Sequence, residues 1–417
     1  VVELILHYRR TSRNALNVLA GAVSGTPATA GVPLRLARSL DELRGAVGTA
    51  TAAGHRAVVA WSFYSASFPE VRGELAWLRE RTGAGALHVA GGPHASGDPE
   101  SVLRAGFDLA AVGEGEETLP AVLAAVEAGA DPRRIAGLAW LEAGALRSSG
   151  RARPVDLDAV PALCERLDRI NPIELTRGCV WGCRFCQTPF LFKARWRHRS
   201  VESVRRAVRY MRTSGARDVR FLTPSALSYG ARDGEPCVEA VEALLAAVRE
   251  EAGEGMRIFL GSFPSELRPE HVSARALAVM KAHCHNRTLI LGAQSGSDRL
   301  LAAAGRGHDA AAVERAVALA VEAGFEPWVD YVFGFPGEEA SDREATRAQL
   351  ARVAALGARV HAHAFMPLPG TPWRDASPGE VDRETALLLE RLASAGRAHG
   401  PWRTQQAIGR RGPETGR

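Results

Sequence analysis

Short β-rich apolar runs alternate along this chain with stretches whose apolar residues recur at helical spacing. From Val2 to about Gly129 the runs fall at Val2 to His7, Arg56 to Trp61, Ala86 to Ala90 and Phe107 to Val112. Helical patterns such as Asp41 to Ala53 and Pro69 to Arg81 separate them. This order predicts a parallel, doubly wound, Rossmann-like sheet over residues 1–150. A hairpin is expected to close it, Ile135 to Leu141 and Ala145 to Arg147, turning at Ala143 and Gly144. Arg151 to Pro161, rich in Arg, Pro and Asp, opens an expected linker over 151–170.

The alternation then restarts over 171–375, with strands expected at Pro172 to Thr176, Asp218 to Thr223, Arg257 to Gly261, Thr288 to Leu291, Pro327 to Phe333 and Arg359 to Phe365. Six strand–helix pairs predict an open, partial version of the eightfold α/β barrel. Residues 376–417 are expected to be a short C-terminal segment, helical from Glu380 to His399, with a frayed tail from Gly409 to Arg417.

The 417 residues, 46% hydrophobic and 24% charged, exclude a disordered chain and a small disulfide-stapled fold. Length alone predicts two or three domains at roughly 100 to 200 residues each. Charge adds little: 52 basic and 47 acidic residues give +5, and the basic residues are almost all arginines interleaved with acids, so no nucleic-acid partner is expected. No apolar run approaches the roughly 18 residues of a membrane span, and the opening strand lacks the form of a secretory signal, so a cytoplasmic location with no membrane partner is expected.

Six cysteines are too few for a disulfide framework, and three of them crowd together at Cys179, Cys183 and Cys186. They follow the first strand of the second domain, and loops after barrel strands lie on the face where active sites are built. Three thiolates on such a loop can hold three corners of an iron–sulfur cubane and leave one iron open. Zinc would need a fourth protein ligand, and no nearby histidine has the spacing; His198 stands alone, twelve residues on.

This Cys-x3-Cys-x2-Cys run, with Phe185 before its last cysteine, resembles the signature of the radical S-adenosylmethionine (SAM) superfamily. The resemblance implies a 4Fe-4S cluster on Cys179, Cys183 and Cys186. It also implies SAM on the open iron, cleaved after one-electron reduction to a 5′-deoxyadenosyl radical, with a reductant such as flavodoxin or ferredoxin as partner. Strand-end segments Gly261 to Glu266 and Gly292 to Ser297 resemble the family's SAM-binding segments, and Phe333 to Glu338 and Pro367 to Pro372 resemble its later turns. On that basis Phe185, Ser225, Ser262, Glu266, Gln294 and Ser295 are the implied SAM-binding residues; Gln294 stands where the family often has Glu.

In the first domain, Gly91, Gly92, Pro93, His94 and Gly113, Glu114, Gly115, Glu116 follow predicted strands, and their glycines permit close backbone approach by a large ligand. Together with Ser62 to Ser65 these loops resemble the cobalamin-binding domain of cobalamin-dependent radical SAM enzymes, and the resemblance runs from about Val2 to Pro372. It implies cobalamin against Ser62, Ser65, Gly91, Gly92, His94, Gly113, Gly115 and Glu116. The Asp-x-His-x-x-Gly motif that supplies an axial histidine to cobalt is absent, and His94 is not read as that ligand. No Gly-x-Gly-x-x-Gly follows the first strand, which argues against a dinucleotide. Methylthiotransferases share the barrel but carry a second cluster on N-terminal cysteines; the first cysteine is Cys164, so that reading fails.

Cys164, Cys237 and Cys284 read as small buried hydrophobes. The basic run at Lys193, Arg195, Arg197, His198 and Arg199 reads as a solvated segment before a helix near Ser200. Glu266 and Arg268 could position SAM or substrate, although a helix start at Pro269 and Glu270 explains part of that pattern. His361 and His363 have strand spacing and share one face; facing inward they could contact substrate or move protons, and facing elsewhere they are a satisfied pair. The expected activity is a cobalamin-dependent radical SAM methyltransferase acting on an unactivated carbon of a small-molecule substrate. The alternatives are a cobalamin-dependent radical cyclase or rearrangement enzyme and a non-catalytic cobalamin- or cluster-binding sensor.

Overall fold

The computed structural model describes residues 1–193 and 195–411, and these divide into two compact units, Val1–Asn171 and Pro172–Arg417. The first unit carries β1 (Val2–His7), α1 (Arg13–Gly25), β2 (Leu34–Ala37), α2 (Leu40–Ala52), β3 (Arg56–Ser62), α3 (Phe68–Thr82) and β4 (Ala86–Gly91). It continues with α4 (Pro93–Gly97), α5 (Pro99–Arg104), β5 (Leu109–Ala111), α6 (Thr118–Glu127), β6 (Leu138–Glu142) and β7 (Ala145–Ser148). The sheet order is β2-β1-β3-β4-β5-β6-β7; the first five strands are parallel and the last two form the antiparallel hairpin.

One apolar core lies on each side of this sheet because alternate residues of β1 and β3 point to opposite faces. Ile5, Val59 and Trp61 pack with Leu43, Leu75 and Leu78 on one side, and Leu4, Leu6 and Val58 pack with Leu16, Val122 and Leu123 on the other. The edge strand β2 went unpredicted because Leu34–Ala37 is short and only its last residue is buried. The segment expected as a linker lies against this unit instead. Cys164 belongs to the second core, and Gly21 of α1 is needed where the Leu163 carbonyl comes within 2.6 Å of a would-be Cβ.

The second unit opens with β8 (Ile173–Glu174), β9 (Thr176–Arg177), α7 (Gln187–Leu191), β10 (Arg197–His198), α8 (Val201–Thr213), β11 (Asp218–Leu222), α9 (Val238–Ala252), β12 (Arg257–Phe259) and α10 (Ala274–His283). It continues with β13 (Thr288–Gln294), α11 (Asp298–Ala303), α12 (Ala310–Glu322), β14 (Glu326–Phe333), α13 (Ala340–Ala355), β15 (Arg359–Ala364), α14 (Arg383–Ser394), β16 (Ala398–His399) and α15 (Trp402–Arg411). Two parallel sheets, β12-β11-β8 and β13-β14-β15-β16, make the curved wall. The segment after β12 joins them, through bridges Thr223 with Ser265 and Leu267 with Leu291.

The expected six-stranded partial barrel thus gains a seventh short parallel strand, β16. The run from Glu380 to His399 is helical only over Arg383–Ser394, because Gly396 at φ 68° turns the chain back into the sheet beside β15. The expectation of fraying from Gly409 does not hold over Gly409 to Arg411, where α15 continues, and its remainder, 412–417, lies outside the described residues. No helix among the described residues is long and apolar enough to cross a membrane.

Leu75 is fully buried between α3 and the sheet. Leu75→Ala should cost about 2–5 kcal/mol, read as a lowered denaturation midpoint of the first unit.

Candidate functional site

Cys179, Cys183 and Cys186 occupy an irregular loop between β9 and α7, and that loop is anchored by the connection from α11 to α12. The Arg184 amide donates to the Ala304 carbonyl at 2.9 Å. Gly305 and Gly307 give the room: a Cβ on Gly307 would meet the Trp181 ring at 2.1 Å, and one on Gly305 the Gly182 carbonyl at 3.0 Å. Arg268 stacks its guanidinium over the Trp181 ring at 3.9 Å. At the loop's start Gly178 has φ 85°, and a Cβ there would lie 1.9 Å from the Arg195 carbonyl.

The three thiols interact electrostatically, and Arg306 donates from Nη1 to Cys183 Sγ at 3.6 Å. Burial pushes the Cys186 thiol up to about 11 and raises Cys179 as well, so the pocket leaves these groups as neutral thiols unless a positive centre draws off their protons. Among the described residues, the group of three ligand atoms within the 4.8 Å of a single ion is Asp330, His361 and His363, not the thiols. Thiols on one loop, spaced more widely than one ion requires, fit the corners of a cluster.

Strand ends around this loop supply polar groups. Ser225 Oγ and Ser262 Oγ are buried without a hydrogen-bond partner in the described structure, as is Ser228 Oγ, and such hydroxyls call for a polar ligand or water. Gly292 keeps a space open: where its Cβ would stand, Gln294 Nε2 is 2.9 Å away and Arg306 Nη2 and Glu266 Oε2 are each 3.3 Å away. Gln294 reaches this point through a bulge in β13, at φ 74°. Glu266 is accessible although deep among the strand ends, so it faces an open interior. Burial, and then the negative charge of Asp330, push its carboxyl up to about 7.

The remaining expected residues divide. Phe185 packs on an aromatic cluster, 5.2 Å from the Phe335 ring, beside Phe365 and Trp373. Ser295 is turned away from the interior, with Oγ 3.3 Å from Thr346 Oγ1 on α13 and accepting from the Ser297 amide at 3.1 Å. Strand alternation accounts for this: Gly292 and Gln294 face inward, and the residues between and after them face the helices.

Sequence reasoning did not single out Arg306, which lies in a loop without a recognisable pattern, or Asp330. The signal for Asp330 was present as an acid inside an apolar strand. Arg268 is ion-paired with Glu270, whose other partner is His308 at 3.2 Å; burial opposes its ionisation, but the His308 hydrogen bond and Arg268 hold its carboxyl below the usual carboxylate range.

In the first unit the strand order reverses between β1 and β3, so the crevice at their carboxyl ends is the expected ligand position of a doubly wound sheet. Ser62 ends β3 and Gly91 ends β4. Gly92, at φ 90°, fits the two loops together, since a Cβ there would lie 2.9 Å from the Phe63 amide nitrogen. Tyr64 is 55% exposed on this rim. His94 instead points inward: Nδ1 is 3.0 Å from Ser65 Oγ, Nε2 is 3.5 Å from Ser101 Oγ, and its ring lies 4.2 Å from Phe68. It props the Ser65 loop from beneath rather than facing a ligand, and burial pushes it down to about 4, so it is neutral. Gly113, exposed at φ 102°, has nothing within 4 Å of a would-be Cβ, and Gly115 clears Leu19. Glu116 is buried. The glycine loops after β4 and β5 leave an open rim at the carboxyl edge of the sheet, next to the switch point, with room for a large ligand.

Residues 173–350 match the family model of the radical SAM superfamily, and residues 47–123 match that of the B12 binding domain. An uncharacterized protein of Methanopyrus kandleri is 25% identical over 366 residues, 73% of this chain and 65% of that protein. A tRNA-2-methylthio-N(6)-dimethylallyladenosine synthase of Halorhodospira halophila is 30% identical over 262 residues, 60% and 53% of the two chains. An uncharacterized methyltransferase of Pyrococcus horikoshii is 27% identical over 274 residues, 62% and 56%. The chain therefore spans about half to two thirds of the length of these relatives.

In fold it is similar to the radical SAM methyltransferase TsrM from Kitasatospora setae, solved with cobalamin and a 4Fe-4S cluster (TM-score 0.69, 18% identity, 90% of this chain and 74% of that one). It is also similar to the cobalamin-dependent SAM radical enzyme OxsB, solved with aqua-cobalamin and SAM (TM-score 0.64, 15% identity, 84% and 51%).

Gly178→Ala should displace the cysteine loop, and the anaerobically reconstituted variant should hold clearly less iron per chain than the wild type. Glu266 binds its proton more tightly folded than unfolded, so stability should fall as pH rises from about 4.5 through about 7. Denaturation series across that window should show a flatter pH slope for Glu266→Gln.

Proposed function

We propose that this chain, which joins a B12-binding domain to a radical SAM domain, is a cobalamin-dependent radical SAM enzyme, and that it methylates an unactivated carbon of a small molecule. The observation that carries the reading is the set of three thiols on one strand-end loop beside partnerless buried hydroxyls. When bound, the cluster and SAM supply a 5′-deoxyadenosyl radical and cobalamin supplies a methyl group.

The chain's own residues bind, orient and shield. Cys179, Cys183 and Cys186 would hold the cluster. Arg306 neutralises charge at Cys183 and, through Nη2 on the Gly292 carbonyl at 2.6 Å, ties that corner to β13. Ser225, Ser262, Gln294 and Glu266 offer hydroxyl, amide and carboxyl groups to the polar ends of SAM, and Phe185 with Phe335 gives an apolar surface for its adenine. On the first unit, Ser62, Ser65, Gly91, Gly92, Gly113 and Gly115 form the rim that would hold cobalamin, with His94 holding the Ser65 loop in shape. A one-electron donor of the flavodoxin or ferredoxin type would be the protein partner.

Cys183→Ala should abolish reductive formation of 5′-deoxyadenosine from SAM while leaving cobalamin retention largely intact. Unchanged cleavage would sink the cluster assignment. Anaerobically purified, iron- and sulfide-loaded protein incubated with hydroxocobalamin and desalted should keep close to one cobalamin per chain, read by absorbance. Folded, cluster-loaded protein that keeps none would remove the support for cobalamin-dependent methyl transfer.

A further inference from the structure

The inner wall of the barrel carries a polar group that the proposed cofactor contacts do not use. Tyr331 fixes the direction of β14, because its hydroxyl donates to Gln349 Oε1 on α13 at 2.8 Å; Trp328, Asp330 and Val332 therefore face the interior. In register beside them on β15 stand Arg359, His361 and His363, and His399 on β16 pairs with His361.

His361 Nδ1 is the meeting point of two neighbours, 2.9 Å from Asp330 Oδ1 and 3.2 Å from His363 Nε2. His399 stacks on the His361 ring, with centroids 4.5 Å apart. Among the described residues no hydrogen-bond partner is recorded for His361 Nε2, and 29% of the side chain is accessible.

Three ligand-type atoms this close need something positive between them, a metal ion or a proton. Gln405 on α15 decides between the two. Its Oε1 accepts from the Ala364 amide at 2.9 Å, so its Nε2 faces His363 Nδ1, at 3.3 Å. A metal-bound histidine donates from its other nitrogen, whereas His363 Nδ1 is placed to accept, which disfavours a metal. His363 is neutral, pushed down to about 4 by burial and by His361, so its proton belongs on Nε2, aimed at His361.

His361 thus has two arrangements. With Nδ1–H donated to Asp330, Nε2 carries a lone pair; with Nδ1 accepting the His363 Nε2–H, the ring's own proton sits on Nε2, which becomes a donor. The charged and titratable groups around it are Asp330, His363, His399, Glu266 and, through Glu266, Arg306 and Arg268, and through His399, Arg359.

We propose that His361 is a catalytic acid–base residue on the barrel's inner wall, switched between taking and giving a proton by whether Asp330 or His363 engages Nδ1. Its substrate presents an O–H, N–H or C–H group that loses a proton. That bond breaks with its electron pair left on the heavy atom, the proton goes to His361 Nε2, and the imidazolium formed is balanced by Asp330. Gln405 is a positioning residue that acts through His363. The inference rests on the barrel being the site of the reaction.

The test uses the full chain and diethyl pyrocarbonate, which acylates unprotonated imidazole nitrogen, with modified sites mapped by mass spectrometry and folding checked by circular dichroism. His94, buried with both nitrogens engaged, is the internal control. His361 should react at neutral pH. Asp330→Asn should slow it about tenfold, the effect of losing one charge-assisted hydrogen bond. Gln405→Leu should speed it, because His363 is then free to carry its proton on Nδ1. A wild-type His361 that does not react, or rates that are equal or shift in the same direction in both folded variants, would overturn the proposal. So would one zinc ion per chain retained after dialysis by wild type and lost in Asp330→Asn. Reductive SAM cleavage, measured separately on the wild type, reports on the barrel reading itself; its absence alongside a reactive, Asp330-dependent His361 would sink that reading and not the proton site.

Discussion

The cysteine loop is irregular between β9 and α7, so its shape depends on what it rests against. The support is the short connection from Ala304 to His308, where two glycines admit the Trp181 ring and the Gly182 carbonyl and where Arg306 reaches the Cys183 sulfur. Arg268 encloses Trp181 from another side, and the same arginine is tied to Glu270 and hence to His308. Position of the thiols, charge beside them and the opening at Gly292 therefore trace to one contact between two loops. One loop follows β9 and the other follows α11, so packing across the fold brings together residues more than a hundred positions apart.

The architecture was legible because parallel strands buried on both faces leave continuous apolar runs, and the cysteine spacing survives as a local pattern. Strand ends were less legible. Leu34–Ala37 shows no strong alternation at an edge, and Ala398–His399 becomes a strand only because Val360 and His361 are there to pair with it. Among site residues, Ser225, Ser262, Glu266 and Gln294 face polar space, whereas Ser295 is one alternation out of phase and is satisfied on α13. His94 follows the same logic, since its neighbours Ser65 and Phe68 come from another strand end and no local pattern shows which way the ring turns. Arg306 and Asp330 acquire their meaning from packing across strands.

The two faces of the barrel wall obey opposite rules. Toward the helices β13 to β15 present Leu289, Leu291, Val329, Tyr331, Val360 and Ala362, all buried, and the stability of the wall resides there. Toward the interior the same strands present Gly292, Gln294, Asp330, His361 and His363, groups that would destabilise a closed core unless paired or solvated. The polar interior is tolerable because the helix-facing side has already fixed the backbone, leaving inner side chains selected by chemistry rather than by packing.

The strand β16 contributes two residues and ends the sheet beside β15, while β8 ends the other sheet with two residues of its own. Mechanically the wall is a split ring. A closed barrel cannot widen without breaking ladder hydrogen bonds, but a split ring can flex at its gap with every existing ladder intact. Helix α14 packs on β16 and α15 on β15, so helices rather than a further strand cover that edge, and the strands that carry the inner polar groups keep their ladders whatever those helices do.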